Sequence, residues 1–276
     1  MPILKAFLPA ILRPLCEFFP ISYSAHLVFL QRFFNWPAVD PMIEMAIDLG
    51  MLAGLSLFFT QEIRHVIRES ILFAFEFLTG KKPSLARYPY ALTSGLVFLT
   101  AIPSGIIHFV FSDLFMSQLL VAGIGWVIMG FLLCASRFSE EGNRTAYEMN
   151  HQDAFLIGLM RSAAVIPGFS ALGFSLLGSL SSGIERSEAV RFSFLIFIPA
   201  LVGRLLFKPW DGTDFVMHSY GLLAAYFAVA AVAGYLAVWI VVKLTESRKL
   251  FIFGFYCLLT GLLALFSQLA GALVLR

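Results

Sequence analysis

The sequence predicts an all-α membrane protein with about six transmembrane helices and two further helical hairpins that enter the bilayer without crossing it. Hydrophobic residues make up 59% of the 276-residue chain and charged residues 13%, whereas soluble domains have about 45–50% and about 25%. Apolar stretches of about 20 residues recur, which is the length that a helix needs to span a bilayer. This composition excludes a disordered chain and argues against a soluble domain.

Six stretches are long and apolar enough to span, at approximately 42–60, 90–111, 117–136, 190–207, 219–242 and 250–272. We interpret residues 1–276 as one integral membrane domain with repeat-like halves at about 1–136 and 137–276. The connection 61–89 contains an apolar piece, Ile71 to Leu78, that is too short to span and predicts an interfacial or docked helix. A net charge of only +2 gives no indication of a nucleic-acid partner.

Two other apolar regions, about 1–34 and 153–180, are interrupted by Pro, Gly, Ser and charged residues. Each places an Arg six or seven residues before a Pro, with a Ser two or three residues after that Pro. Interrupted hydrophobic segments at matching places in two halves are typical of broken, re-entrant helices around a central site. We therefore expect two helical hairpins whose tips meet near the bilayer midplane.

The Lys and Arg residues of the loops predict the orientation of the chain. Most of them lie in four connections, which we place in the cytoplasm: 61–89, 137–152, 181–189 and 243–249. The loops at 112–116 and 208–218 contain only Lys208 and are predicted to face outward. Six spans fit this pattern only if the two broken hairpins enter from opposite faces.

Residues 13–26 contain the richest set of chemical groups. An ionisable side chain inside an apolar segment is costly and marks a candidate functional residue, which applies to Arg13, Glu17 and His26. Ser22, His26 and a carboxylate can support nucleophilic or acid–base chemistry. The hydroxyls of the run from Ser22 through Tyr23 to Ser24 could face an anion. The alternative is an intramembrane ion pair of Arg13 with Glu17, beside a hydrogen-bonded histidine.

The second broken region contains Gly168 and Ser170 in a turn that opens into a helix, with Arg161 before it. Such turns direct backbone N–H groups at phosphates, so all three are candidate ligands for an anion. Other ionisable residues in apolar segments are Glu44, Asp48 and Arg204.

Three segments resemble the signatures of a known family. Residues 17–27, EFFPISYSAHL, resemble the signature EFLPISSTGHL. Residues 166–173, IPGFSALG, resemble IPGxSRSG, and residues 185–195, ERSEAVRFSFL, resemble xSREAAxRFSFLL. These signatures are those of the undecaprenyl-diphosphate phosphatases, the bacitracin-resistance family, and the resemblance covers nearly the whole chain in order.

The resemblance implies a fold of six spans with two oppositely inserted re-entrant hairpins, in the bacterial inner membrane. It implies a polyprenyl diphosphate substrate, the lipid carrier of cell-wall synthesis, whose terminal phosphate is removed on the outer face with help from a divalent cation, Mg²⁺ or Ca²⁺. A homodimer is a further expectation. Carried over by position, Glu17, Ser22, His26 and Ser170 match site residues of the family, and Glu17 is the candidate ligand for the cation.

The chain also departs from the signatures. Arg13 stands where the family has Glu or Gln, Asp48 where it has Gln, and Arg161 where a Gln usually precedes the second signature. Ala171 replaces the arginine of the second signature, and Tyr23 replaces a serine of the first. Losing that arginine removes a bidentate phosphate ligand, whereas Arg13 and Arg161 retain or relocate the attraction for an anion.

Two hypotheses follow. In the first, the protein dephosphorylates undecaprenyl diphosphate, with Ser22 or His26 as the nucleophile, Arg13 and Arg161 replacing the lost arginine, and Glu17 holding a cation or orienting His26. In the second, it is a catalytically impaired homologue that transports, flips or binds undecaprenyl phosphate or a related anionic lipid, because inverted broken helices also occur in transporters.

Overall fold

The computed structural model describes residues 2–37, 39–84, 87–115, 118–207 and 219–274. In these ranges the chain is built from α-helices, short 3₁₀ turns and loops, with an isolated bridge between Arg144 and Ile184 in place of any β-sheet. The α-helices are α1 (Pro2–Phe18), α2 (Tyr23–Phe34), α3 (Pro41–Phe58), α4 (Thr60–Leu78), α5 (Pro89–Phe115), α6 (Leu119–Ala135), α7 (His151–Ser162), α8 (Ala171–Ser181), α9 (Arg186–Leu195), α10 (Phe197–Phe207), α11 (Tyr220–Glu246) and α12 (Phe251–Val274).

Six helical segments of the described chain are long and apolar enough to cross a membrane. They are Pro41–Phe58, Pro89–Ile107, Leu119–Phe138, Arg186–Leu206, Tyr220–Glu246 and Phe251–Leu269. The fourth combines α9 and α10, which are separated by a single turn residue, Ile196. The predicted fold class, a polytopic all-α membrane protein, is confirmed.

The two interrupted regions form the predicted helical hairpins. In the first, α1 ends at Phe18, before Pro20, and α2 begins at Tyr23 after Ser22, whose φ of 68° is unusual for a residue with a side chain. In the second, α7 ends at Ser162 and α8 begins at Ala171. Both breaks fall at a proline, Pro20 or Pro167, which cannot donate a backbone hydrogen bond. Proline alone does not end a helix in this chain, since α1 continues through Pro9 and Pro14.

Helix α4 is longer than the sequence predicted. It begins at Thr60 rather than near Ile71, and only Phe59 separates it from α3. None of its residues is buried, it packs along α5, and it is not among the membrane-spanning candidates. The polar first half continues the helix because its Gln, Glu and Arg residues are good helix formers.

The most extensive helix pairs are α6 with α12 and α3 with α11. Small residues allow the close approach of α6 and α12, since a Cβ added to Gly130 would lie 2.8 Å from the carbonyl oxygen of Gly254. Helix α1 packs on α11, and α7 packs on α5. The division into repeat-like halves stays a prediction, although these contacts join each hairpin to a helix of the other half.

Large apolar side chains fill the interior around the first hairpin, including Phe18, Phe59, Trp126, Phe194 and Phe197. Others are exposed on the outer surface of the long helices, among them Leu57, Phe98, Phe131, Trp239 and Phe266. In water so much exposed apolar surface would be unfavourable, whereas lipid chains cover it without cost.

Candidate functional site

The tips of the two hairpins are in direct contact. The backbone N–H of Gly168 donates to Ser22 Oγ over 3.0 Å, and Trp126 Nε1 on α6 donates to the Ile21 carbonyl oxygen over 2.7 Å. Gly168 has a φ of 101°, and a Cβ there would lie 2.6 Å from the Cα of Gly125, so only glycine allows this approach to α6. Segments 13–26 and 161–170 therefore meet, as the sequence predicted. Their depth in the bilayer stays a prediction.

A network of five charged side chains lies beside the first tip. Arg13 on α1 contacts Asp48 on α3, with Nη2 3.0 Å from Oδ1 and 3.2 Å from Oδ2. Arg204 on α10 binds both oxygens of Glu17, at 2.6 Å and 3.2 Å, and Asp48 Oδ1 at 3.2 Å. Glu44 Oε1 lies 3.6 Å from Arg13 Nη1. Three helices thus bring two guanidinium groups and three carboxylates together.

The Arg13–Glu17 ion pair that the sequence offered as an alternative is present only as a long contact, with Arg13 Nε 3.8 Å from Glu17 Oε2. The stronger partner of Glu17 is Arg204, which is 187 residues away in the chain. Arg204, Glu44 and Asp48 were noted as costly charges in apolar segments but were not assigned to the site. The presence of an ionisable side chain in an apolar segment is the sequence signal that could have assigned these three residues to the site.

Several donors of the network form no hydrogen bond. Arg13 Nε, Arg13 Nη1 and Arg204 Nε are buried and have no hydrogen-bond acceptor in the described structure. Arg13 is only 6% exposed, and its guanidinium carbon lies 5.5 Å from the ring centre of Tyr23. A buried N–H without an acceptor costs about 1–3 kcal/mol, so these groups favour the arrival of an anion that accepts their hydrogen bonds.

Arg161 on α7 is a buried cation without a close counter-ion. It is 4% exposed, and no carboxylate lies within 4.0 Å of it in the part of the chain that the structure describes. Its Nη1 lies 3.2 Å from Ser175 Oγ and 3.5 Å from the Ala171 carbonyl oxygen, and its guanidinium carbon is 4.1 Å from the ring centre of Phe197. Its charge also interacts with those of Glu17 and Arg204. A buried, unpaired cation is costly, which again favours an anionic ligand.

His26 on α2 is held by two hydrogen bonds. Its Nδ1 lies 2.7 Å from the Ser22 carbonyl oxygen and its Nε2 lies 2.7 Å from the Tyr256 hydroxyl. A carbonyl can only accept, so Nδ1 carries the proton, and in the neutral ring Nε2 accepts from Tyr256. The hypothesis that Glu17 orients His26 is wrong, because both Glu17 oxygens bind Arg204 while Ser22 and Tyr256 orient the ring.

The hydroxyl of Ser22 has other neighbours. Its Oγ accepts from Gly168 and lies 3.2 Å from Ser24 Oγ, and its recorded hydrogen bonds do not include one to His26. The sequence had placed these groups close together on one helical face. The structure brings them close, but the histidine ring turns toward the backbone carbonyl of Ser22 rather than its hydroxyl.

Ser170 caps α8, since its Oγ accepts from the Gly173 N–H over 3.2 Å, and it is 2% exposed. The Gly168 N–H is bound to Ser22. These two N–H groups therefore bind serine oxygens and are not free for a phosphate. That other amides of the turn face a phosphate stays a prediction, and Arg161, 3.5 Å from the Ala171 carbonyl oxygen, is a cation beside them.

The residues present do not fit a divalent cation held by the protein. Within the described residues, no group of three or more His, Cys, Asp or Glu side chains is arranged to hold a metal ion. Glu17, the candidate ligand, already binds Arg204 with both oxygens. The use of Mg²⁺ or Ca²⁺ stays a prediction.

The fold and the site together define a polytopic helical membrane protein with a buried, anion-attracting site between two broken hairpins. The chain matches the family described as bacitracin resistance protein BacA over residues 6–263, and it belongs to that family. This confirms the resemblance found in the signatures.

Curated relatives cover nearly the whole chain. An undecaprenyl-diphosphatase of Alkaliphilus metalliredigens (strain QYMF) is 32% identical over 277 residues, spanning 98% of this chain and 100% of the relative. Undecaprenyl-diphosphatase 1 of Shouchella clausii (strain KSM-K16) is 31% identical, spanning 97% of each chain. An undecaprenyl-diphosphatase of Methanobrevibacter smithii is 28% identical, spanning 95% of this chain and 96% of the relative.

Proposed function

We propose that this protein removes the terminal phosphate of undecaprenyl diphosphate and leaves undecaprenyl phosphate in the membrane. The observation that carries the proposal is Arg161, a buried cation without a close carboxylate, next to the contact between the two hairpin tips. A diphosphate head on a long apolar chain fits a buried site inside a membrane protein where an arginine has no close carboxylate. Family membership and the names of the relatives support the same substrate.

Arg161 and Arg13 bind the terminal phosphate in this proposal, through charge-assisted hydrogen bonds to its oxygens. The nucleophile is Ser22 or His26. Its attack forms a bond to the terminal phosphorus and breaks the bond to the bridging oxygen, which leaves with undecaprenyl phosphate. Water then releases inorganic phosphate from the protein.

The two nucleophiles have different requirements. His26 Nε2 is unprotonated in the neutral ring and needs no base, but it must first release the Tyr256 hydroxyl. Ser22 Oγ lies at the tip contact but must give its proton to a base, and its two recorded partners, Gly168 N–H and Ser24 Oγ, are not strong bases. The choice between them is therefore a question for variants of each residue.

The direct test is phosphate release from undecaprenyl diphosphate by purified protein in detergent, with and without Mg²⁺ or Ca²⁺. Loss of the nucleophile, by Ser22→Ala or His26→Ala, should reduce release at least 100-fold. Ser193→Ala is the matched control, because Ser193 is a fully buried serine of α9 whose hydroxyl has no hydrogen-bond partner among the described residues. Absence of release by the unmodified protein under all these conditions would overturn the proposal.

A second candidate function is lipid transport without hydrolysis. It is favoured by the orientation of His26, which is bound to the Ser22 carbonyl rather than to a nucleophilic hydroxyl, and by Ala171 in place of the signature arginine. Reconstituted vesicles distinguish the two functions: a carrier moves undecaprenyl phosphate between leaflets while phosphate release stays at the level without protein.

We further propose that the protein lies in the bacterial inner membrane, acts on its outer face and forms a homodimer. The positive-inside pattern of the loops supports the orientation. Light scattering of the detergent-solubilised protein tests the homodimer, and a monomeric mass at all concentrations would contradict it.

A further inference from the structure

We propose that Arg13, held by Asp48 beside Arg204, takes the place of a divalent cation. Guanidinium groups then bind the terminal phosphate of a diphosphate, and the site takes up neither Mg²⁺ nor Ca²⁺. The identity of the diphosphate rests on the proposed function. The absence of a cation-binding site does not rest on the proposed function, and it can be tested without the lipid.

The first argument is that two departures from the family signature are in contact. Arg13 stands in place of an acid or an amide, and Asp48 in place of an amide. Their side chains meet at 3.0 Å and 3.2 Å, and the two residues are only 6% and 3% exposed. A buried guanidinium needs a carboxylate nearby, so the departure at one position explains the departure at the other.

The second argument concerns the carboxylate oxygens. Glu17 gives both of its oxygens to Arg204. Asp48 gives Oδ1 to both arginines and Oδ2 to Arg13. A hard cation needs six or more oxygen ligands at about 2.0–2.6 Å. To reach these oxygens it would have to displace two guanidinium groups whose positive charges repel it.

The third argument concerns the charge of the network. Two arginines and three carboxylates give a formal charge of −1. With an acid at position 13 and a neutral amide at position 48, the same positions would hold one arginine and three carboxylates, a charge of −2. The exchange therefore raises the local charge by one unit, which weakens the attraction for a cation and reduces the repulsion of a phosphate.

The fourth argument is the set of unpaired donors. Arg13 Nε and Nη1 and Arg204 Nε are buried without an acceptor. Guanidinium N–H groups match the spacing of phosphate oxygens and bind them in pairs. Arg13 Nε and Nη1 face Glu17 and Glu44 only at ion-pair distances of 3.8 Å and 3.6 Å, so the arginines that occupy the carboxylates still have N–H groups without a hydrogen bond that a phosphate can accept.

The test compares the unmodified protein with the double variant Arg13→Glu, Asp48→Gln, which restores the signature residues. The first readout is equilibrium binding of radioactive Ca²⁺ to the detergent-solubilised protein without lipid. We expect the double variant to bind one more Ca²⁺ ion than the unmodified protein does. Arg32→Glu, at an exposed arginine on α2, is the control for an added surface carboxylate and should not gain this ion.

The second readout is the binding of inorganic pyrophosphate in the presence of EDTA. This measurement stays informative even if the double variant does not fold, because it uses the unmodified protein and Arg13→Gln. The unmodified protein should bind it, and Arg13→Gln should weaken that binding at least tenfold. Equal binding by the two proteins, or loss of binding by the unmodified protein in EDTA with recovery in Ca²⁺, would overturn the inference.

The third readout is phosphate release from undecaprenyl diphosphate in EDTA. The unmodified protein should still release phosphate in EDTA. Phosphate release that is lost in EDTA and returns only when Mg²⁺ or Ca²⁺ is added would overturn the inference. If no protein releases phosphate but Ca²⁺ and pyrophosphate bind as expected, the proposed function fails while the cation replacement stands.

Discussion

Arg186 and Arg13 are both buried arginines, yet Arg186 donates several hydrogen bonds to the protein whereas Arg13 donates few. Arg186, 2% exposed, donates from Nε to Glu141 Oε2 at 3.1 Å and from Nη2 to two oxygens of Ser139 and the carbonyl of Ser136, at 3.0–3.1 Å. Within the described residues, Arg13, 6% exposed, hydrogen-bonds only through Nη2, whereas Nε and Nη1 have carboxylates only at ion-pair distances of 3.8 Å and 3.6 Å. No buried donor of Arg186 lacks a partner in the described structure, whereas two buried donors of Arg13 form no hydrogen bond.

The surroundings explain the difference. Arg186 begins α9 and joins it to the loop after α6, and Arg248 at the α11–α12 turn binds the same Glu141 at 2.7 Å. These contacts fix three connections to one another. Arg13 lies inside a mid-helix charge network. We therefore assign a structural role to Arg186, which joins three connections, and a binding role to Arg13, which has buried donors without a hydrogen bond.

The largest expected effect is all-or-none and concerns the side of the membrane. We place the Arg186 cluster, which consists of Arg186, Glu141 and Arg248, on the cytoplasmic face, because its loops carry the positive charges. Reporter fusions at residues 82 and 147 should read cytoplasmic, and a fusion at residue 212, outside the described residues, should read external. An external reading at 147 would put the cluster on the wrong face and would contradict the inverted hairpins as well.

The next effect is on stability. Arg186→Ala removes four hydrogen bonds from one buried cation and should lower the free energy of unfolding by roughly 3 kcal/mol. Thermal unfolding in detergent should show a fall of several degrees in the midpoint. Arg191→Ala on the same helix is the control, since Arg191 is exposed and its 3.6 Å contact with Glu188 contributes little. Similar midpoints for the two variants would remove the structural role from Arg186.

The effect on lipid binding should be smaller and should leave the fold intact. Arg161→Ala should weaken binding of undecaprenyl phosphate by about 1–3 kcal/mol, the range for a lost charge-assisted hydrogen bond. Its unfolding midpoint should fall less than that of Arg186→Ala, because it loses the contacts with Ser175 and Phe197 but no close ion pair. A titration followed by tryptophan fluorescence measures the affinity, with Arg32→Ala as the control at an exposed arginine. Unchanged affinity would exclude Arg161 from the phosphate site.

The smallest effect depends on pH and concerns Glu141. Partial burial raises the pKa of this carboxyl, but hydrogen bonds from the Arg186 backbone and Arg248, with their charges, hold it below its ordinary value. A lowered pKa stabilises the fold above the ordinary value, about pH 4.3, and that stability is lost as pH falls through the lowered pKa. Glu141→Gln should therefore lower the unfolding midpoint slightly at pH 7.

The control for this prediction is pH itself. The difference between Glu141→Gln and the unmodified protein should be present at pH 7 and should shrink below pH 4. Because the side chain is 40% exposed, the effect at pH 7 should stay below about 1 kcal/mol. A difference that grows toward low pH would contradict the assigned direction.

The sequence predicted those parts of the fold that depend on local pattern. The six spans follow from runs of apolar residues, and the two hairpins follow from Pro20 and Pro167 inside apolar regions. The meeting of Ser22 with Gly168 followed from the repeated arrangement of the two regions. These features need no knowledge of how the helices are rotated.

Partners across helices were beyond the sequence. The pairing of Arg204 with Glu17 joins residues 187 positions apart, and that of His26 with Tyr256 joins residues 230 positions apart. Both depend on the rotation of packed helices, which no spacing in one segment determines. The same limit explains why Glu17 was expected to orient His26, although another helix takes its carboxylate.

The contact between Ser22 and Gly168 also has a consequence for biogenesis. The two residues are separated by 146 positions, which a ribosome needs roughly 7–30 s to translate at about 5–20 residues per second. During that interval Gly168 is not yet available to bind Ser22 Oγ. Arg204 has not yet been synthesised, so Glu17 lacks its main ion-pair partner. A nascent chain at that stage therefore has four of the five charges of the network but lacks Arg204 and the assembled pocket, so the Glu17 carboxylate is made before its main partner exists.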